Sequence, residues 1–141
     1  MILLDANILV RLADRNDPKH ALTLQAILTW RRTDSLLIVP QSLYEFAAVA
    51  TRAVENNGLG MDNERAARWL ARCRRMFQFL PDPPDLCDRW QTVVSKYVVR
   101  GFRVHDARYV AAMQALGVDQ LMTHNARHFA DFPIRVIDPG A

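Results

Sequence analysis

The chain has little of what marks a secreted, membrane-bound or zinc-finger protein. Its two cysteines, Cys73 and Cys87, lack metal-type spacing. Both fall in helical patterns, so neither a disulfide framework nor a zinc site is expected, and both read as small core residues. No apolar run approaches the length of a membrane span. The N-terminus has neither the basic n-region nor the uninterrupted h-region of a signal peptide. These absences predict a soluble, cytoplasmic protein with no membrane partner. Internal repeats, low-complexity tracts and linkers are missing too, so residues 1–141 read as a single domain. The chain also carries no DNA-binding segment and no Gly-rich loop of the kind that cradles phosphates.

What is present is ordinary globular composition: 50% hydrophobic and 23% charged residues over 141 positions, enough for a sizeable core. The net charge is +3 with neutral His, and the sequence pI is about 9.2. Such a mild basic excess permits an anionic partner without demanding one. The unusual stretch is the first. Ile2, Leu3 and Leu4 read as a short strand buried on both faces, and the rhythm changes after Asp5 to Ala6, Ile8, Leu9 and Leu12, which predicts a helix beginning at once. Asp5 then stands at the carboxyl end of a strand, where open α/β sheets bind ligands. Its other reading is a simple helix cap.

Down the chain an α/β alternation continues. Asp17 and Pro18 are expected to open a helix through Arg32, followed by a strand from Leu36 to Val39 that Pro40 closes. Ser42-Leu43-Tyr44-Glu45 starts a helix with stripe Leu43, Phe46, Ala47, Ala50 and Val54, ended by Asn56-Asn57-Gly58. A fourth helix covers Asp62 to Met76, and Phe77 to Leu80 is a possible third strand. Asp82 and Pro83 cap a fifth helix that Gly101 ends. A sixth runs from about Asp106 to Gly117. Leu121 and Met122 form another strand, a helical turn reaches Phe129, and Ile134 to Ile137 is the last strand. Strands separated by helices imply right-handed crossovers and a largely parallel sheet covered by helices.

Four polar residues fall at element starts: Asp5, Glu45, Asp106 and Asn125. Strands of a parallel sheet share one carboxyl edge, so such residues can converge there. Three carboxylates within a few ångströms raise one another's pKa unless a cation sits between them. All-oxygen ligands suit Mg²⁺ or Mn²⁺ better than zinc. Each residue also has a structural reading. Ser42 to Glu45 matches the S-x-x-E capping box, Asp106 is a suitable cap or first-turn acid, and Asn125 a suitable turn residue. Capping does not require all four to share an edge.

Four stretches then resemble, in order, the signatures of PIN-domain ribonucleases, most closely the VapC toxins of bacterial toxin–antitoxin pairs. They are Leu4-Asp5-Ala6-Asn7, Pro40-Gln41-Ser42-Leu43-Tyr44-Glu45-Phe46, His105-Asp106-Ala107 and Leu121-Met122-Thr123-His124-Asn125-Ala126-Arg127-His128-Phe129. The resemblance implies a three-layer α/β/α sandwich with a mainly parallel central sheet. It also implies a Mg²⁺- or Mn²⁺-dependent endoribonuclease whose metal is held by Asp5, Glu45 and Asp106. The family's fourth acidic position falls on Asn125, a neutral oxygen ligand, which weakens the case for a second tightly bound ion. An RNA substrate, a small VapB-type antitoxin and commonly a homodimer are implied as well. PIN domains also serve in RNA processing, so a processing or non-catalytic RNA-binding module is the alternative. A Mg²⁺-dependent phosphatase is another, although Asn7 stands where its second Asp would be.

Hydrolysis of an RNA phosphodiester follows from such a site. Asp5 and Asp106 are expected as principal ligands, Glu45 as ligand or water-orienting base, and Asn7, Thr123 and Asn125 as positioning groups. Arg103 and Arg127 are candidate RNA contacts because they flank site residues. Arg65, Arg68, Arg72 and Arg75 form a basic stripe on the fourth helix, which reads either as RNA contact or as a solvated face with an ordinary Glu64–Arg68 pair. His105 and His124 read as local structural or RNA-facing groups. Trp30, Trp69 and Trp90 read as core.

Overall fold

A computed structural model describes all residues, 1–141. Its strands are β1 (Ile2–Leu4), β2 (Leu36–Ile38), β3 (Gln78–Phe79), β4 (Gln120–Met122) and β5 (Arg135–Ile137). Its helices are α1 (Ala6–Ala13), α2 (His20–Trp30), α3 (Pro40–Thr51), α4 (Asn63–Met76), α5 (Leu86–Lys96) and α6 (Val104–Leu116). The five strands form one sheet in the order β3-β2-β1-β4-β5, and every pair is parallel. Ile2 and Leu3 of β1 pair in register with Leu36 and Leu37 on one side and with Gln120 and Leu121 on the other.

The strands alternate sides with period two, and that alternation builds two cores. Ile2, Leu4, Leu36, Ile38 and Met122 face α1 to α4, meeting Ile8, Leu9, Leu12, Ile27, Phe46, Ala66 and Cys73. Leu3, Leu37 and Leu121 face α5 and α6, meeting Leu86, Val93, Tyr109, Val110 and Met113. The result is the expected α/β/α sandwich. Because both faces are covered, the strands read as continuous apolar runs. The chain steps outward from β1 to β2 and β3, then crosses to the opposite side of β1 for β4 and β5. The carboxyl ends of β1 and β4 therefore flank the topological switch point, where neighbouring loops part to leave a crevice.

Several boundaries differ from the sequence expectations. Helix α2 begins at His20 rather than Pro18, because the Asp17 carboxylate accepts the Lys19 N–H at 2.8 Å and turns the chain first. Helix α3 starts at Pro40, with proline in the first turn, and stops at Thr51. Beyond it the loop folds back, with Gly60 N–H donating to Arg52 O and Met61 N–H to Ala50 O. Gly58 sits so close to Arg52 that a Cβ would stand 2.0 Å from its carbonyl oxygen, so only glycine fits. Helix α5 starts at Leu86 and ends at Lys96, before Gly101, and α6 starts two residues ahead of Asp106. Cys73 is buried as expected, whereas Cys87 is exposed. The three tryptophans are half-buried at the margins of the two cores. No helix is long and apolar enough to cross a membrane.

Candidate active site

Asp5 leaves β1 in extended conformation and precedes α1, yet its side chain makes no cap hydrogen bond. The acceptor for the first N–H of α1 is instead the Tyr109 hydroxyl, 3.2 Å from Ala6 N. The cap reading of Asp5 therefore fails, and its carboxylate is free for other partners. Oδ2 accepts from Thr123 Oγ1 at 2.7 Å and from Asn7 Nδ2 at 3.1 Å. Thr123, the residue after β4, is the hub of this knot. Its hydroxyl oxygen also accepts from Asn7 Nδ2 and from the Asn125 N–H, each at 3.0 Å. Asn7 Oδ1 in turn accepts the His124 N–H at 3.1 Å. The ends of β1 and β4, joined by these bonds, form the floor at the switch point.

Glu45 arrives from α3. The capping-box expectation is inverted: Ser42 Oγ accepts the Val39 N–H at 3.3 Å and donates to Leu4 O at 2.9 Å, so Ser42 ties α3 to β1. Glu45 does not reach back. Its Oε1 accepts from Gln41 Nε2 at 2.6 Å, and the same Nε2 donates to His105 O at 2.7 Å. Gln41 thus clamps the turn carrying Glu45 to the residue beside Asp106. Asp106 enters from the first turn of α6 rather than from a cap position. Its Oδ2 is buried without a hydrogen-bond partner; His128 Nδ1 lies 3.5 Å away.

Asp5, Asn7, Glu45, Asp106 and Asn125 line one cavity of about 520 Å³, with Thr123 directly beneath Asp5. All four residues first singled out at element starts converge there. Burial pushes the pKa of each carboxyl group upward. For Glu45 the group rises to about 7, driven first by burial and then by the charges of Asp5 and Asp106, against the Gln41 hydrogen bond. Asp106 likewise feels Asp5, while His128 opposes the shift. The carboxylates are electrostatic neighbours. As they stand, no three His, Cys, Asp or Glu side chains are close enough to close around an ion. Mg²⁺ does not require that, since it commonly takes one or two carboxylates and keeps several waters. The unpartnered buried oxygen of Asp106 and the all-oxygen donor set fit such an ion.

Other candidates stand elsewhere. Arg103 donates to His128 O at 2.8 Å and braces the short 3-10 turn Ala126–Phe129. Arg127 is exposed, and neither arginine lines the cavity. His124 is buried, with Nε2 2.7 Å from Thr23 Oγ1, and burial lowers its pKa; it fastens α2 to the end of β4. The sequence reading missed Gln41, Tyr109 and Arg52. Gln41 lies four residues before Glu45 and Arg52 seven after it, so helical spacing alone places both on the same face. Arg52 lines the cavity, is exposed and forms no ion pair, whereas the neighbouring Arg11 lies 3.6 Å from Asp17.

Comparison with known proteins agrees with this geometry. The PIN domain family model matches residues 2–134. No curated protein matches in sequence. Among solved structures, VapBC2 from Rickettsia felis, bound to a DNA fragment from its promoter, superposes with a TM-score of 0.74 at 12% identity, covering 98% of both chains. VapBC-1 from nontypeable Haemophilus influenzae gives 0.70 at 21%, covering 100% of both. The Sarcin-Ricin loop cleaving toxin VapC20 of Mycobacterium tuberculosis gives 0.69 at 16%, covering 96% of this chain and 99% of that one. With the family's pattern matched over nearly its whole length and its fold shared with these structures, the chain belongs to the PIN-domain family.

Proposed function

We propose that the protein is a divalent-metal-dependent endoribonuclease and the toxin of a VapBC-type pair. The observation that carries the reading is the convergence of Asp5, Glu45 and Asp106 on one cavity at the switch point. Asp5 and Asp106, with Glu45, would hold Mg²⁺ or Mn²⁺. When bound, that ion supplies charge neutralisation and Lewis-acid polarisation of the scissile phosphate. Thr123 and Asn7 orient Asp5, and Gln41 fixes Glu45 through Oε1, leaving Oε2 to take a proton. Burial and the neighbouring carboxylates raise this group's pKa to about 7 in the metal-free protein, and a bound ion would favour its ionised, proton-accepting form. Asn125 adds a neutral oxygen at the rim. Arg52, unpaired at the cavity mouth, is the cation placed to meet an RNA phosphate, ahead of Arg103 and Arg127. Incubation of purified protein with RNA should give Mg²⁺-dependent fragments that EDTA suppresses. Release of phosphate from a small phosphoester with RNA left intact would favour a phosphatase instead.

The neighbouring structures are toxin–antitoxin assemblies, which supports an antitoxin partner here. A groove between α1, α2 and α4, with Leu24, Leu28, Trp69 and Met76 in its lining beside Arg15, Arg31 and Arg72, offers it a seat. A homodimer is the assembly the family resemblance implies, and sedimentation analysis of the purified chain reads it directly.

Proton linkage gives a further expectation. In the metal-free folded protein Glu45 keeps its proton up to about pH 7, while the unfolded chain releases it near 4.5. Its contribution to stability is therefore present below the lower value and lost as pH rises through the upper one. A cation takes the ionised form, so Mg²⁺ should raise Tm clearly at about pH 8 and little at about pH 5.5. Thermal unfolding with and without Mg²⁺ checks this; equal shifts at both pH values contradict it.

A further inference from the structure

Helix α4 carries more positive charge than its structural role accounts for. Ala66 and Cys73 are its buried contacts, with Trp69, Leu70 and Met76 packed around them. Arg65, Arg68, Arg72 and Arg75 occupy offsets 0, 3, 7 and 10, which at helical geometry fall within an arc of roughly 80° and climb about 15 Å. All four are exposed, and with Trp69 they line a shallow concavity of about 290 Å³. Glu64 is the only acid bonded to any of these guanidinium groups, 3.2 Å from Arg68, and exposed pairs of that kind contribute little. Asp62 spends its carboxylate on the Arg65 N–H as the helix cap. Arg72 lies over the Trp69 ring at 4.8 Å, which holds its planar fork in place.

The helix dipole explains part of this pattern. Arginines in the last turn, Arg74 and Arg75, complement it, but Arg65 lies in the first turn, where a cation is disfavoured. A stripe that runs against the dipole at one end points to something it binds.

We propose that this face is an RNA-backbone exosite, separate from the carboxylate cavity, with which it shares no lining residue. The proposal rests on the ribonuclease reading and extends it to how substrate is held. A run of charge about 15 Å in length is long enough to follow several consecutive phosphates of one RNA strand. Arginine is the side chain suited to bidentate phosphate contact. An acidic protein segment fits less well. Protein interfaces are anchored by apolar side chains in desolvated pockets; those lie in the adjoining groove, which shares Trp69 and Arg72 with this face, whereas Arg65, Arg68 and Arg75 stand outside its lining. Backbone recognition of a polyanion needs no such anchor.

The test is fluorescence anisotropy with a short dye-labelled single-stranded RNA, in EDTA to prevent turnover, over a range of salt concentrations. The quadruple variant Arg65→Gln, Arg68→Gln, Arg72→Gln, Arg75→Gln should bind more weakly. Its slope of log affinity against log salt should be shallower by roughly 0.7 for each phosphate contact removed. The double variant Arg68→Gln, Arg75→Gln should show about half that change and serves if the quadruple one fails to fold. The pair Arg100→Gln, Arg135→Gln, exposed away from α4 in the loop after α5 and in β5, should match the unmodified protein. Unchanged slope and affinity in the stripe variants would overturn the proposal. So would binding of polyglutamate, but not RNA, that depends on the stripe. Steep salt-dependent RNA binding without Mg²⁺-dependent cleavage leaves the exosite standing and removes the nuclease reading. Cleavage that survives in the quadruple variant with unchanged KM does the reverse.

Discussion

Replacing Asp5 by Asn should abolish Mg²⁺-dependent RNA cleavage, by more than about 100-fold, while the protein keeps its fold. The side chain retains its shape, and the chain around it is held by bonds that do not need the charge. Asp5 N–H donates to Met122 O at 3.1 Å, and Ala6 N–H donates to the Tyr109 hydroxyl. An amide oxygen can still accept from Thr123. What disappears is one of three negative charges on a buried cavity, and with it most of the attraction for a hard cation. Because burial already pushes the Asp5 carboxyl pKa upward, relieving that charge should leave metal-free stability the same or somewhat higher. Cleavage assays with circular dichroism and thermal unfolding on the same sample separate the two effects. Full activity in a folded variant would refute the assignment of Asp5.

The second large effect is expected at Thr123, which contacts no substrate. Valine has the same shape, so Thr123→Val leaves packing intact and removes only the hydroxyl at the centre of the floor. Three bonds go with it: the donation to Asp5 Oδ2 and the acceptances from Asn7 Nδ2 and Asn125 N–H. Thr123 is fully buried, so its partners lose their hydrogen bonds to a site that water does not reach, at a cost of about 1–3 kcal/mol. Asp5 and Asn7 then lose their fixed orientation. Outer partners of this kind are commonly worth 10–100-fold in metal affinity or activity. Thr123→Ser should recover most of both. Calorimetric Mg²⁺ titration of the three proteins gives the comparison; a Thr123→Val protein with unaltered affinity and stability would show that the hydroxyl is dispensable.

Much of this site could be read from the chain because it lies where local patterns end. The apolar run Ile2–Leu4 followed at once by Asp5 fixes both a strand and its carboxyl edge, and the same logic places Thr123 and Asn125 after β4. Convergence of Asp5, Glu45, Asp106 and Asn125 follows from a parallel sheet, whose strands all end on one side. What escaped depends on contacts across the sandwich. The pattern Ser42-x-x-Glu45 is a valid capping box locally, but Leu4 O is the stronger claim on Ser42, and no local rule contains it. Gln41 shows its i,i+4 relation to Glu45 in sequence, whereas its bond to His105 O spans 64 positions. Tyr109 looked like one more apolar stripe residue on α6, and its hydroxyl turned out to serve α1. Arg103 precedes Asp106 by three positions but lies in the short 3-10 turn Gly101–Arg103 ahead of α6, and its guanidinium turns to the His128 carbonyl, a contact 25 positions away that no local pattern contains. Cys87 had a plausible helical position and fell on the solvent side.

The central claim is that the three carboxylates hold a metal ion. A crystal of the unmodified protein soaked in Mn²⁺ and measured for anomalous scattering tests it directly. The account predicts a single strong peak in the cavity, within ligating distance of oxygens from Asp5 and Asp106, with Glu45 either ligating or reached through water. The Asp5→Asn protein, soaked in the same way, should show no peak there. No Mn²⁺ in the cavity of the unmodified protein, or a peak of equal strength in the variant, would contradict it.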